Sequence, residues 1–148
     1  MRIVAIAAVV ACASVLAAGC GGDSSGPVSL KWFIAIQPGG SIQKVAETCS
    51  KESGGKYDIE VELLPTDASQ QREQLVRRLG AEDSSIDLIG MDVVWTAEFA
   101  NAGWIQEFKG KEKQEVSKDV FPPVLKTATF ENKLYGAPFN SNTQLLWY

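Results

Sequence analysis

From Val28 to Gly103 the chain repeats one rhythm three times, a short β-type segment followed by a segment of helical periodicity. That rhythm leaves few folds open. Strands joined through helices stack side by side into a parallel sheet, with right-handed crossovers. The first segment, Val28 to Ile36 (VSLKWFIAI), is rich in β-branched and aromatic residues. Gln37-Pro38-Gly39-Gly40 breaks it, and Ser41 stands where the cap of a helix belongs. In the helix that follows, Ile42, Val45, Ala46 and Cys49 recur at i, i+3, i+4 and i+7, which makes one apolar stripe. Gly54-Gly55 ends that helix.

The second unit begins with Tyr57 to Leu64 (YDIEVELL), where Tyr57, Ile59, Val61 and Leu63 alternate with Asp58, Glu60 and Glu62. This is the pattern of a half-exposed strand. After Pro65-Thr66-Asp67, a helix from about Ser69 to Leu79 buries Leu75, Val76 and Leu79 and leaves Arg72, Glu73 and Arg77 in water. The third unit opens with Ile86 to Met91 (IDLIGM), a nearly all-apolar run that suits a strand covered on both faces. Asp92 closes it, and a helix begins near Thr96 and stops near Ala102-Gly103. The fold class is therefore α/β. Beyond it, Lys109 to Lys118 reads as a solvated loop or helix face, and Phe121-Pro122-Pro123 as the start of a short helix. Thr129 to Glu131 and Lys133 to Phe139 read as a hairpin about Glu131-Asn132, with a last strand from Gln144 to Tyr148. Because that strand is apolar and has no turn after it, the chain is expected to be a C-terminally truncated fragment.

Residues 1–19 carry an address rather than a fold. Arg2 precedes a 16-residue apolar run, Ile3 to Ala18, shorter than the roughly twenty residues a membrane span needs. Leu16-Ala17-Ala18-Gly19-Cys20 then resembles a bacterial lipobox, although Leu stands one place further from the cysteine than is usual. The resemblance implies that Cys20 is lipidated and becomes the mature N-terminus. The alternatives are an ordinary secretory signal or an N-terminal anchor helix. Gly21 to Pro27 (GGDSSGP) has the composition of a flexible tether, so residues 20–27 would hold the body off the membrane. Cys12 lies in the signal, which leaves Cys49 alone in the body, either as a buried thiol or as half of a disulfide to a segment beyond this chain.

Charge and composition narrow the function. The 148 residues hold 14 basic and 18 acidic side chains and no histidine. A net negative body has no basic stripe for nucleic acid or anionic lipid. Without histidine, the commonest metal ligand and general base are missing. There is no Gly-x-Ser-x-Gly elbow, phosphate loop or metal-spaced cluster. Asp87 and Asp92, five apart on a strand, fall on opposite faces and make no catalytic pair. What remains is a binding surface at the carboxyl ends of the strands, where open α/β sheets hold their ligands. Gln37, Gln71, Asp92 and the loop from Asn140 to Asn142 reach that rim. A carboxylate takes hydroxyl protons and amides both donate and accept, as a polyhydroxylated ligand requires. Trp95 could stack on a sugar ring. Each has a plainer reading: Asp92 as a helix cap, Trp95 as core, Asn140 and Asn142 as turn residues, Gln37 and Gln71 as surface.

Two stretches carry a family resemblance. Asp87-Leu-Ile-Gly-Met-Asp92-Val-Val-Trp95 with Ala100-Asn-Ala-Gly103-Trp104, and Glu131-Asn-Lys133-Leu134-Tyr135-Gly136-Ala137-Pro138 through Leu146-Trp147-Tyr148, resemble the family 1 extracellular solute-binding proteins of bacterial carbohydrate ABC importers. Leu-Pro-Thr around Pro65, Gln71-Arg72-Glu-Gln-Leu75, Asp92 to Ala100 and Asn142 to Tyr148 look like the actinobacterial trehalose-binding lipoproteins. The resemblance implies a periplasmic-binding-protein-like, two-lobed fold. Residues 28–148 would supply much of the first lobe, and the second lobe would be missing. It also implies that Gln71, Asp92 and Asn142 contact a disaccharide such as trehalose, with Gln37 matching more weakly. A monomer without cofactor or metal would capture the sugar outside the cell membrane, held there by its lipid alone, and pass it to membrane permease subunits without catalysis. Two other classes stay open: a secreted glycan-active lipoprotein enzyme, which needs a second carboxylate at a defined separation, and a binder of a non-sugar solute such as a polyamine or iron. Iron would want ligands of the kind Tyr135 and Tyr148 could supply.

Overall fold

The computed structural model describes residues 26–141 together with Leu146 and Trp147. The first segment forms β1 (Val28–Ala35), which is apolar toward both faces over Trp32-Phe33-Ile34 and takes the centre of a three-stranded sheet. On one side it pairs in parallel with β2 (Tyr57–Leu64), in register from Val28 against Tyr57 to Ala35 against Leu64. On the other it pairs in parallel with β3 (Leu88–Ile89), Trp32 against Leu88 and Phe33 against Ile89. The order β2-β1-β3 reverses direction at β1, so right-handed crossovers put the two connecting helices on opposite faces.

The third strand is shorter than the apolar run that encodes it. Main-chain bonds from Asp87 N to Lys31 O (3.3 Å) and from Gly90 N to Phe33 O (2.7 Å) extend the ladder beyond the two strand residues. Leu88 is 41% exposed, which corrects the expectation of a strand covered on both faces. Among the described residues β3 is a sheet edge with no strand beyond it. Asp87 has a local task there, its carboxylate accepting a hydrogen bond from Lys31 N at 2.8 Å.

Helix α1 (Ser41–Glu52) follows a turn of 3-10 helix at Pro38–Gly40. Gly39 and Gly40 both adopt positive φ (76° and 63°), which lets the chain double back within three residues. Gly40 thereby takes the cap position. Ser41 becomes the first helical residue and makes no side-chain cap, contrary to expectation. The apolar stripe is real but narrower than its spacing suggests. Ile42 and Ala46 are buried and Cys49 is half-buried, whereas Val45 is exposed. Strand β2 alternates as expected through Val61 and then departs from the pattern. Leu64, on the acidic face, is buried, while Leu63 is 50% exposed. The reason is α2 (Ala68–Gly80), which begins four residues later and whose Leu75 joins Leu64 in one apolar cluster. Asp67 caps α2 by accepting from Gln70 N at 3.0 Å.

The main core lies on that face of the sheet. Phe33, Leu64, Leu75, Trp95 and Phe99 form it, with Leu75 and Phe99 wholly shielded from solvent. Phe99 belongs to α3 (Thr96–Asn101) and is held between two indoles, stacked against Trp95 at 6.0 Å and edge-on to Trp104 at 5.5 Å. The remainder lies around this core. It comprises α4 (Gly110–Ser117), with no buried residue, α5 (Pro122–Thr127), and an antiparallel hairpin of β4 (Thr129–Phe130) and β5 (Lys133–Leu134). Glu131 and Asn132 both take positive φ, which makes the two-residue hairpin turn expected there. The second strand ends at Leu134 rather than Phe139, and residues 135–141 carry no regular structure. Of the expected last strand, Leu146 and Trp147 are exposed and in no strand, while Gln144, Leu145 and Tyr148 lie outside the described residues. Residues 1–25, with the expected signal and Cys20, also lie outside them.

One knot fixes the loop between α2 and β3. The Arg78 guanidinium lies 4.5 Å over the Phe33 ring, while Nε donates to Asp83 at 2.7 Å and the terminal nitrogen to Ser85 Oγ at 3.1 Å. The second oxygen of Asp83 accepts from Ser85 N (3.0 Å) and Ser85 Oγ (2.7 Å). These Ser85 hydrogen bonds, aided by Arg78, hold the Asp83 carboxyl down from 3.8 to about 2. Its contribution to stability is therefore complete above its ordinary value and is lost as pH falls through about 2. Asp83→Asn is expected to lower the urea midpoint at neutral pH, with the gap from the parent protein closing as the titration is carried below the ordinary carboxylate range. A second expectation concerns Gly90. A Cβ there would stand 2.4 Å from Ile34 Cγ1 and within 3 Å of two further Ile34 atoms. Ile34 is itself buried and has no room to yield. Gly90→Ala should cost about 1–3 kcal/mol in denaturant unfolding, as overpacked cores do, and the same change should cost less in an Ile34→Ala background, which lacks the two nearest atoms.

Candidate functional site

All three strands of the sheet run the same way, so their carboxyl ends meet at one rim. A cleft of about 510 Å³ opens there. Its floor is Ile34, Ala35 and Gly90, where the sheet comes to the surface without a protruding side chain at position 90. Its walls come from five places. Gln37 stands just past β1 and Gln71 in the first turns of α2, Met91 to Val93 follow β3, and Val124 and Thr127 of α5 face Phe139, Asn140 and Ser141. The topology has brought together segments more than a hundred residues apart in sequence.

Three of the expected residues, Gln37, Gln71 and Asp92, share this cleft. Gln37 is half-buried on extended backbone (φ −112°, ψ 142°). Gln71 is buried into the wall, and its Nε2 donates to the Thr66 carbonyl at 3.4 Å, which orients the amide. The residue after it, Arg72, pairs with Glu98 and ties α2 to α3 through two guanidinium contacts, one of them 2.7 Å. Asp92 is exposed and does two things at once. It caps the short 3-10 turn Val93–Trp95, Oδ1 accepting from Val94 N at 3.3 Å, and it lines the cleft. The plainer reading of Asp92 as a cap is thus met by Oδ1, and the capping bond leaves Oδ2 unused.

Trp95 is not in the cleft. It is 5% exposed and packs in the core against Phe99, with no ring face free for a ligand. The 3-10 turn that Asp92 caps rotates the indole inward beneath Val93 and Val94, which are exposed instead. Asn142 lies outside the described residues, while its neighbours Asn140 and Ser141 do line the cleft. The aromatic surface that sequence reasoning missed is Phe139, 61% exposed at the cleft wall. Its position after Pro138 and before Asn140 and Ser141 was the available signal, hidden by extending the hairpin strand too far.

The chemistry of the lining is selective. Among the described residues it holds, besides aliphatic side chains such as Ile34, Met91 and Val124, amides, hydroxyls and one aromatic ring, a single carboxylate and no lysine or arginine. That composition suits a neutral ligand with many hydroxyl groups better than an anion or a polycation. It offers one carboxylate where acid–base glycan chemistry needs two. Tyr135 does not line this cleft, and Tyr148 lies outside the described residues. No group of three or more acidic or cysteine side chains among the described residues is placed to hold a metal ion.

Comparison with known proteins agrees with this fold. Residues 36–148 match the family model of the bacterial extracellular solute-binding proteins, and the chain belongs to that family, one of binding proteins rather than enzymes. It is 28% identical over 141 residues to an uncharacterised lipoprotein from the oleD region of Streptomyces antibioticus, a match covering 88% of this chain and 29% of that protein. Its structure resembles the GacH receptor of Streptomyces glaucescens, solved unliganded and with acarbose (TM-score 0.65, 20% identity, 76% of this chain and 29% of that one). It also resembles maltose-bound MalE3 of T. maritima (TM-score 0.64, 16% identity, 72% of this chain and 27% of that one). At these identities the likeness is one of fold, and the chain spans under a third of the length of the proteins it matches. Core membership of Trp95 has a measurable consequence. Trp95→Ala is expected to destabilise the fold by about 3–5 kcal/mol in chemical denaturation, the cost of deleting a buried aromatic, whereas removing a ring that only stacked on ligand would leave the midpoint unchanged.

Proposed function

We propose that this chain forms the sugar-facing rim of a substrate-binding lipoprotein. In this reading the whole protein captures a neutral sugar outside the cell membrane and hands it to an ABC permease. One observation carries the reading: Gln37, Gln71, Asp92 and Asn140 converge beside Phe139 in one cleft that has no basic side chain among the described residues. Sugar hydroxyls donate to the Asp92 carboxylate, whose Oδ2 is not the oxygen used in capping. The amides of Gln37, Gln71 and Asn140 exchange hydrogen bonds with the remaining hydroxyls. The apolar C–H face of a pyranose rests on Phe139. A cleft of about 510 Å³ is of a size to hold a disaccharide. The strings at Gln71, Asp92 and Asn142 favour trehalose within that class, and acarbose and maltose on the two structural neighbours support a glucoside of some kind.

The second lobe of the whole protein closes over the rim when sugar bridges the two. Cys20 carries the lipid that keeps the protein at the outer face of the membrane, with residues 21–27 as its tether. Calorimetry of the full-length, unlipidated protein against trehalose, maltose and related glucosides tests the reading. One of them should bind, and Asp92→Ala should weaken it by about ten- to a hundredfold, the worth of a charge-assisted hydrogen bond, with an unchanged circular dichroism spectrum. Absence of heat with every member of the panel would sink the assignment to glucosides.

A further inference from the structure

Gln71 is the fourth residue of α2, is 9% exposed, and lines the cleft. Its setting decides which end of its amide a ligand meets. A helical side chain leans back toward the amino end of its helix, and there Gln71 reaches the Thr66 carbonyl. That carbonyl is free for a local reason. One more helical hydrogen bond would bring it Gln70 N, but the Asp67 cap holds Gln70 N at 3.0 Å. Gln71 N goes to the Asp67 carbonyl, also at 3.0 Å. A carbonyl oxygen can only accept, so the atom that Gln71 turns to Thr66 is Nε2, at 3.4 Å. Oε1 is thereby turned away from that wall. Among the described residues no side-chain donor reaches Oε1, yet no shielded side-chain oxygen lacks a partner. Oε1 therefore opens on the cleft. Asp92 adds a second acceptor there: Oδ1 takes the Val94 N–H, and a carboxylate has no proton to give from Oδ2.

We infer that Gln71 sets specificity by accepting a proton, so that the sugar must give one hydroxyl proton to Gln71 Oε1 and another to Asp92 Oδ2. This rests on the sugar-binding reading of the cleft and adds to it the polarity of the contact. At both positions the site refuses a group of similar size that can only accept, such as fluorine or the oxygen of a methyl ether. A site built to pair with a hydroxyl rejects an analogue without it, because its own buried polar atom is left unpaired.

Titration of the full-length, unlipidated protein with trehalose and maltose, and with the monodeoxy and deoxyfluoro analogues of each, reads this polarity. For the sugar that binds, at least two hydroxyls should behave alike: the deoxy and the fluoro compound both lose about tenfold or more in affinity, the cost of an unpaired acceptor. At one of the two, Gln71→Met should weaken the parent sugar by about the same factor and cost the deoxy compound nothing more, the mark of a direct contact. At the other, Asp92→Ala should do the same, and it serves as the reference because a carboxylate can only accept. Fluorine that restores affinity at the hydroxyl coupled to Gln71 would mean that Nε2 meets the sugar. Unchanged affinity of Gln71→Met for the parent sugar would mean that the amide does not touch it. Either result overturns the inference and spares the sugar site. Should Gln71→Met not fold, the unmodified protein still decides, since fewer than two such hydroxyls on a sugar that binds normally overturns the inference. No heat from either parent sugar would remove the reading on which the inference rests, and the inference with it.

Discussion

The backbone of β1 is shared between two neighbours, and the rest of the molecule is arranged by that sharing. Trp32 and Phe33 lie in parallel register with β2 on one side and with β3 on the other. Each side chain of this strand must therefore find cover on its own face. Phe33 finds it in the cluster that includes Leu75 and Phe99, while Ile34 turns by alternation to the other face and is buried there as well. Because the neighbours are parallel, the helices between them are obligatory, and the three strand ends emerge on one side. A shared open rim at that place follows from connectivity before any particular side chain is considered.

Burial and reactivity are separated cleanly along the segment from Asp92 to Phe99. Asp92 caps a turn, and that turn sends Trp95 inward to stack on Phe99 while Asp92 itself stays in water. The aromatic ring available to solvent in the cleft comes from a different part of the chain, after the hairpin. Arg72 and Glu98 link α2 to α3, so the helix bearing Gln71 and the helix following Asp92 are tied together beside the cleft. An exposed pair of this kind adds little stability, but it fixes α2, which bears Gln71, to α3.

Much of the α/β fold was legible in the sequence, because the strand and helix periods differ and change abruptly at Gly39-Gly40, Gly54-Gly55 and Pro65. The two-residue turn at Glu131-Asn132 was legible for the same reason, as a local pattern with a local cause. What could not be read depended on which faces tertiary packing covers. Val45 has the spacing of a core residue and is exposed, Leu64 has the phase of a solvent residue and is buried, and Leu88 sits in an apolar run yet lies at an edge. At the site, polarity at strand ends was enough to bring Gln37, Gln71 and Asp92 together. Polarity could not distinguish Trp95 from Phe139. The difference between them is the direction a single turn imposes on the backbone, and composition carries no trace of that.

The close approach of Gly90 to Ile34 has a consequence for how such a protein can diversify. The base of the crevice at that point is main chain pressed against a buried isoleucine, and it offers no side chain to exchange. In the proposed reading, variants that recognise other solutes must draw their differences from the surrounding walls: the stretch after β1, the start of α2, residues 91–93, α5 and residues 139–141. A new specificity in this lineage is thus a matter of furnishing the sides of a vessel whose bottom is cast with the scaffold.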